Sequence, residues 1–315
     1  MAKRISIGSW AYTIGPWAEH PVPFDTVCDR LRQVGFDGVE LGAFPPHPNP
    51  GNPNGPDEHW PGAMPDRSQR EELRARLAQL GLGLSGMAAN LWGENLIDTE
   101  DQSKYIAEFR KNSEFARDLG IQKIRVDTVQ PPAILRQVDA RTAMDRVVRT
   151  WKTCCDIAAG NGQQVSWEFE PGFAFNKPSE IVRVHDAVDK ANFGILYDTC
   201  HGQMTGVNGA RQEGEKEVFP SQPDFIRLLD GRINHIHLID SDNTCHKDAE
   251  GRDETSTHPP FGMGLLKFET ILPALVKAAR APQDWWTIDL CFWPDAWGAT
   301  ESCRKRAAEL AEQFG

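Results

Sequence analysis

Four short apolar runs each end in side chains able to hold a cation or move a proton. They read "VSWEFEPG" with Glu168 and Glu170, "GILYDTCH" with Asp198 and His201, "INHIHLID" with His237 and Asp240, and "WWTIDLCF" with Asp289. Carboxylate, carboxylate, imidazole and carboxylate brought together make a hard-to-borderline divalent cation site. The runs are spaced about thirty to fifty residues apart, the distance that parallel strands joined by crossover helices require. Such strands deliver all their C-terminal ends to one face.

The rest of the chain supplies the elements that would position these groups. Candidate strands fall near residues 4–9, 37–42, 82–88, 122–127, 164–169, 193–198, 233–239 and 285–290, most after Gly-bearing turns such as "QVGFDGVEL" and "LGIQKIRV". Amphipathic stretches such as "SQREELRARLAQLG" and "QSKYIAEFRKNSEFARDLG" lie between them, with Asp or Ser ahead of several and Gly often behind. Eight such units in strict alternation predict an α/β fold, a (β/α)8 TIM barrel formed as a single domain over residues 1–315. The rival, an open doubly wound sheet, lacks a GxGxxG after the first strand. Residues 43–66 and 240–264 are long Pro-, Gly- or Asp-rich βα loops on the expected functional face, and 202–222 is a shorter excursion.

Bulk properties narrow the class. A hydrophobic fraction of 40% and a charged fraction of 25% suit a soluble globular chain. The formal net charge of −11 argues against a nucleic-acid partner, which needs clustered Lys and Arg. No apolar run approaches the ~18 residues of a membrane span. The basic start "MAKRISIGSW" leads into polar sequence, not a signal-peptide apolar region. The seven cysteines are odd in number and show no CxxC spacing, so reduced thiols in a cytoplasmic protein are expected.

As a set, these motifs resemble the xylose-isomerase-like TIM barrel superfamily of sugar isomerases and epimerases, over essentially the whole chain. The resemblance implies that the last four strands give Glu, Asp, His and Glu to one divalent ion, with a substrate-binding His three residues after the Asp. Carried over, the metal ligands are Glu168, Asp198, His237 and Asp289, and the substrate-binding histidine is His201 in "YDTCH". Mn2+ is the first choice of ion, with Mg2+, Co2+ or Zn2+ as alternatives. On strand five, Glu168 and Glu170 share parity and face the same way. Glu168 is taken as the ligand and Glu170 as its catalytic neighbour one pleat higher, with the reverse assignment open. Strand eight departs from the family pattern: Asp289 stands where a Glu is usual, one methylene shorter. That change leaves binding safer than a mechanism in which Glu168 and Asp289 exchange a proton on opposite faces.

Trp10 and Trp293 near strand ends, with Glu40 at the end of strand two, are expected to bind substrate. Aromatics at a barrel mouth stack on sugar rings or planar substituents. Each residue also has a plainer role to weigh. A lone Asp at a strand end caps the following helix, His235 reads as a structural histidine, and Arg125 with Asp127 reads equally well as a structural pair. His47, His59, His246 and His258 in the long loops read as mostly solvated, and the acidic run from Asp240 to Glu254 reads as turn-forming. The expected function is a divalent-metal-dependent sugar isomerase or epimerase acting on a small carbohydrate, in a homo-oligomer or with a hetero-subunit. The alternatives are a lyase on the same scaffold, resembling enzymes that cleave C-glycosides of 3-oxo sugars, and a non-catalytic sugar-binding protein. An apurinic endonuclease shares the barrel but is disfavoured by the negative charge. The Glu-x-His expected of the lyases on strand five is absent, since Glu170 stands there.

Overall fold

Strands that are buried along both faces need cover on both, and this chain provides it with helices. In the computed structural model, which describes residues 3–52 and 60–315, the strands are β1 (Arg4–Ile7), β2 (Gly38–Gly42), β3 (Gly83–Ala88), β4 (Lys123–Val126), β5 (Gln164–Glu168), β6 (Phe193–Asp198), β7 (Ile233–Leu238), the hairpin β8 (Cys245–Lys247) and β9 (Asp253–Ser256), and β10 (Trp285–Ile288). β2, β6 and β7 are buried at every residue, as parallel strands beneath helices are. Eight of the strands form one parallel sheet in the order β1-β10-β7-β6-β5-β4-β3-β2. A parallel bridge between Gly8 and Glu40 brings β1 back to β2, so the sheet curls into a nearly closed barrel. The expected TIM barrel is therefore present, with all eight strand positions as read from the sequence.

The surrounding helices are α1 (Phe24–Gln33), α2 (Arg67–Gln79), α3 (Ser103–Leu119), α4 (Ala140–Gly160), α5 (Pro178–Val188), α6 (Thr199–Gly206), α7 (Gln222–Leu228), α8 (Phe268–Ala278) and α9 (Ala296–Phe314). Strand parity divides the work. On β5, Val165 and Trp167 point out to the helices, where Trp167 meets Trp151 of α4 with ring centroids 5.2 Å apart. Ser166 and Glu168 alternate with them and point inward. Helix starts are fixed by side chains: Asp139 accepts from the backbone of Arg141 and Thr142, and Asp198 from that of Cys200 and His201. All seven cysteines are free thiols.

Two of the long loops carry structure of their own. The segment after β7 folds into the β8–β9 hairpin, pairing Cys245 with Ser256. Buried Asp240 ties its two ends by accepting from the backbone of Gly262 at 2.9 Å and Leu266 at 3.0 Å. His47, in the loop after β2, is buried and holds the Val22 carbonyl at 2.9 Å rather than facing solvent. His59 lies outside the described residues.

Candidate metal centre and substrate cavity

Register places the chemistry. Asp198 at the end of β6 pairs with His237 on β7, and His237 pairs with Thr287 on β10. Asp289 follows two residues beyond, and Glu168 ends β5 on the other flank. As a result, one ligand atom from each of Glu168, Asp198, His237 and Asp289 lies within 4.8 Å of all the others. His237 Nδ1 is 3.2 Å from Glu168 Oε1 and 3.6 Å from Asp289 Oδ2. All four side chains are buried.

The donor atoms fit a cation. Glu168 Oε1, Asp198 Oδ2 and His237 Nδ1 are buried and form no hydrogen bond among the described residues. Leaving such atoms unmet costs about 1–3 kcal/mol each, so folded chains do so where a ligand will meet them. Asp198 shows the division within one carboxylate: Oδ1 caps α6 through Cys200 N at 2.7 Å and His201 N at 2.9 Å, while Oδ2 is left for the site. The capping role therefore leaves one oxygen of this carboxylate able to hold a ligand. His237 is prepared in a similar way. Its Nε2 faces Glu40 Oε1 at 3.1 Å, and the tautomer with its proton there leaves the Nδ1 lone pair aimed at the three carboxylates. Glu40 is itself held by His235 Nε2 and Thr287 Oγ1, each at 2.7 Å.

The field at this spot calls for positive charge. Burial, reinforced by Asp289 and Glu168, pushes the Asp198 carboxyl up to about 7. Burial also pushes Glu168 up, but the Arg125 guanidinium and the His237 ring outweigh it and hold the carboxyl at about 2. Burial alone would strip the proton from His237. The surrounding Glu40, Asp289 and Glu168 reverse that and hold its pKa well above the usual imidazole range.

Above the four residues opens a cavity of about 360 Å³, walled by Trp10, Phe44, Trp92, Phe173 and Phe292 and floored by Glu168, Glu170, His201, His258 and Asp289. Glu170 Oε2 accepts from Thr255 Oγ1 at 2.5 Å and lies 3.2 Å from His201 Nε2. His201 Nδ1 is 2.9 Å from Ser256 Oγ. Burial, with Glu168 and Asp127 adding to it and Arg125 opposing, pushes the Glu170 carboxyl up to about 8. Burial and nearby His258 push the His201 ring down to about 3, so it stays neutral.

The family model described as Xylose isomerase-like TIM barrel matches residues 28–301. The chain belongs to this family. Among curated proteins it is similar to an inosose dehydratase of Bacillus thuringiensis (strain Al Hakam), 21% identical over 220 residues that cover 64% of this chain and 68% of that protein. Two solved structures share the fold. One, described as IOLI protein with a binding zinc atom, has a TM-score of 0.71 at 13% identity and covers 99% of each chain. The other, a D-tagatose 3-epimerase-like protein, has a TM-score of 0.68 at 14% identity, covering 99% of this chain and 100% of that one.

In this xylose isomerase-like barrel, Trp10 lines the cavity and donates from Nε1 to Asp289 Oδ1 at 2.7 Å. His201 lines it too. Glu40 does not: it lies fully buried beneath the floor, behind His237. Trp293 also misses the cavity and packs partly buried against the core, because Phe292 adopts φ 59° and takes the inward place instead. Arg125 does more than pair with Asp127. Its Nε contacts Glu168 Oε2, while Asp127 Oδ2 stands 3.7 Å from Nη2 and also holds the Trp92 indole at 2.9 Å. A charged residue on an inward strand position demands a buried partner, which was the available signal. His258, expected to be solvated, is 2% exposed and lies 3.5 Å from Asp289 Oδ1. His246 sits against Phe292, ring centroids 4.1 Å apart, outside the cavity lining.

Proposed function

We propose that this chain is a divalent-metal-dependent sugar isomerase or epimerase that removes a proton alpha to the carbonyl of a keto sugar or sugar derivative. The observation that carries this reading is the convergence of four ligand atoms, from Glu168, Asp198, His237 and Asp289, within 4.8 Å beneath a closed-in cavity. Those residues would hold one ion, Mn2+ first by its preference for carboxylate-rich donors. When bound, such an ion supplies Lewis-acid polarisation of a carbonyl and its neighbouring hydroxyl.

The chain's own residues account for proton movement. Thr255 and His201 both address Oε2 of Glu170, which leaves Oε1 for substrate. A carboxyl pushed up to about 8 lies close enough to neutrality both to take a proton and to return it. Neutral His201 carries one N–H: placed at Nε2 it holds the Glu170 carboxyl and, once that carboxyl has taken up a proton, is free to donate to an oxygen on which negative charge develops. The aromatic walls keep water from the reacting carbons.

One observation favours a second reading, elimination of water from a ketone of the same class. Asp289 Oδ1 is taken by Trp10 Nε1 and by Cys291 N at 3.0 Å, and its Oδ2 faces His237. Epimerisation needs a proton carrier on each face, whereas elimination needs one base, and Glu170, outside the four proposed ligands, keeps one oxygen without a hydrogen bond. The similarity to an inosose dehydratase supports the same outcome. The test is incubation of the Mn2+-loaded chain with a panel of keto sugars and cyclic polyol ketones in D2O. Deuterium uptake at the alpha carbon supports proton abstraction, and loss of water from the substrate assigns elimination. A loaded chain that exchanges no alpha proton on any of them sinks the reading.

A further inference from the structure

The wall of the mouth cavity is poor in hydrogen-bonding side chains, and those it has are engaged. Ile14, Phe44, Ala88, Val129, Phe173 and Phe292 bring no polar side-chain atom. Both indole N–H groups are committed, Trp10 Nε1 to Asp289 Oδ1 at 2.7 Å and Trp92 Nε1 to Asp127 Oδ2 at 2.9 Å. Thr255 is bound to Glu170, and Glu254, which is exposed, turns its carboxylate toward His246 at 3.6 Å. Cys291 adds only a thiol, a weak donor and acceptor. A hydroxyl lodged against this wall would lose water and gain no side-chain partner.

The aromatic surface is also held open at a cost. Trp10, Phe44 and Ala88 form a small apolar cluster apart from the barrel core, with Ile14 and Cys291 packed on it. Trp92 lies against Phe44, ring centroids 5.2 Å apart, and remains 38% exposed. Phe292 takes φ 59°, a left-handed backbone that disfavours a bulky side chain. Its ring fits because Gly15 carries no side chain: a Cβ there would come within 2.5 Å of Phe292 Cδ1. None of this serves the barrel core, whereas flat apolar faces around a cavity stack on a flat apolar ligand. We infer that the substrate is a keto sugar bearing an aryl substituent at the end away from its carbonyl, and that these rings receive the aryl group. The floor then meets the carbonyl end. The inference rests on the proposed function and names its substrate class.

The full chain loaded with Mn2+ is given keto sugars in pairs, each one free and as its phenyl ether, in D2O. The phenyl ethers are expected to exchange the alpha proton with kcat/KM about 10- to 100-fold above the free sugars, mostly through KM. In W92A and F292A, which leave the floor residues in place, that ratio should fall toward one. A ratio of one in the wild type overturns the inference and leaves the proposed function standing. A ratio kept in both variants overturns the assignment to these rings. No exchange on any pair sinks the proposed function. Binding of each pair, read by calorimetry, then decides the inference by itself: tighter phenyl ethers sustain it, and equal affinity within pairs overturns it. Because Trp92 is exposed, W92A keeps the test open should F292A fail to fold.

Discussion

The two ends of this barrel both hold cavities with polar groups in their lining, and they spend those polar atoms differently. At the N-terminal end a cavity of about 590 Å³ is lined by Arg4, Lys123, Arg280 and their neighbours, larger than the 360 Å³ cavity at the C-terminal mouth. Each of its cations has a partner. Lys123 Nζ donates to the Asn234 carbonyl at 2.6 Å and Arg280 to the carbonyls of Gly231 and Phe193 at 2.7 and 2.6 Å, while the Arg4 guanidinium stacks over the Trp285 ring at 3.7 Å. Asn234 Oδ1 is the one buried acceptor left over among that cavity's lining. At the mouth, by contrast, Glu168, Asp198 and His237 each leave a ligand atom unmet within a few ångströms of one another. Charge at the N-terminal end is satisfied locally, and charge at the mouth is held in place with atoms left open. Cavity size does not tell them apart; the unmet atoms do.

The most forceful way to break that contrast is to neutralise the proposed proton carrier. Glu170→Gln should lower alpha-proton exchange by roughly 10²- to 10⁴-fold, the usual worth of a general acid–base group. Its metal content should be unchanged, and metal loss together with activity would reassign Glu170 as a ligand. A smaller effect is expected beneath the floor. Glu40→Gln keeps the shape but loses the carboxylate that orients His237, so metal affinity should fall by about 10- to 100-fold with the substrate KM at saturating metal unchanged. A KM increase instead would return Glu40 to the substrate-binding role expected of it from the sequence. Trp10→Phe removes one of the two donors on Asp289 Oδ1 and should cost less again, about 3- to 10-fold weaker metal retention, with the Tm of the stripped chain within a few degrees of wild type.

How far the sequence could be read follows from periodicity. Strand alternation and crossover spacing made the barrel and the ends of β5, β6, β7 and β10 legible, since a ligand at a strand terminus inherits the register of the sheet. Trp293 was misplaced because a single left-handed residue, Phe292, reverses which side chain enters the mouth, and parity ends where the strand does. Thr255 and Ser256 belong to a hairpin inside residues 240–264, with His258 two residues beyond it, and the acidic, Gly-rich composition there masks any alternation. Glu40 was read as a barrel-mouth group, and only the closing contact between β1 and β2 and its bonds to His235 and His237 place it one layer lower. Local pattern locates elements, but which of two inward layers a residue occupies depends on how the barrel shears.

The smallest expected effect lies at the opposite end and concerns pH. Burial, only partly offset by Glu40 and Asp284 and reinforced by Lys3, pushes the Lys123 ammonium down from 10.5 to about 8. Between those values the unfolded chain binds a proton at this site that the folded chain has given up, so this residue makes stability rise with pH across that window. Lys123→Met removes the term. Its Tm relative to wild type should fall as pH goes from about 8 to 10.5, and below pH 8 the difference should be nearly constant. That constant difference sets the lost bond to the Asn234 carbonyl against the relieved burial of the ammonium. Activity per folded chain should stay within about threefold of wild type, because the lysine's partners are the oxygens of Asn234 and Gln283 and none lies at the mouth. A Lys123→Met chain that folds normally yet loses exchange activity or metal would show that the two ends are coupled through Glu40, the carboxylate that both Lys123 and His237 feel.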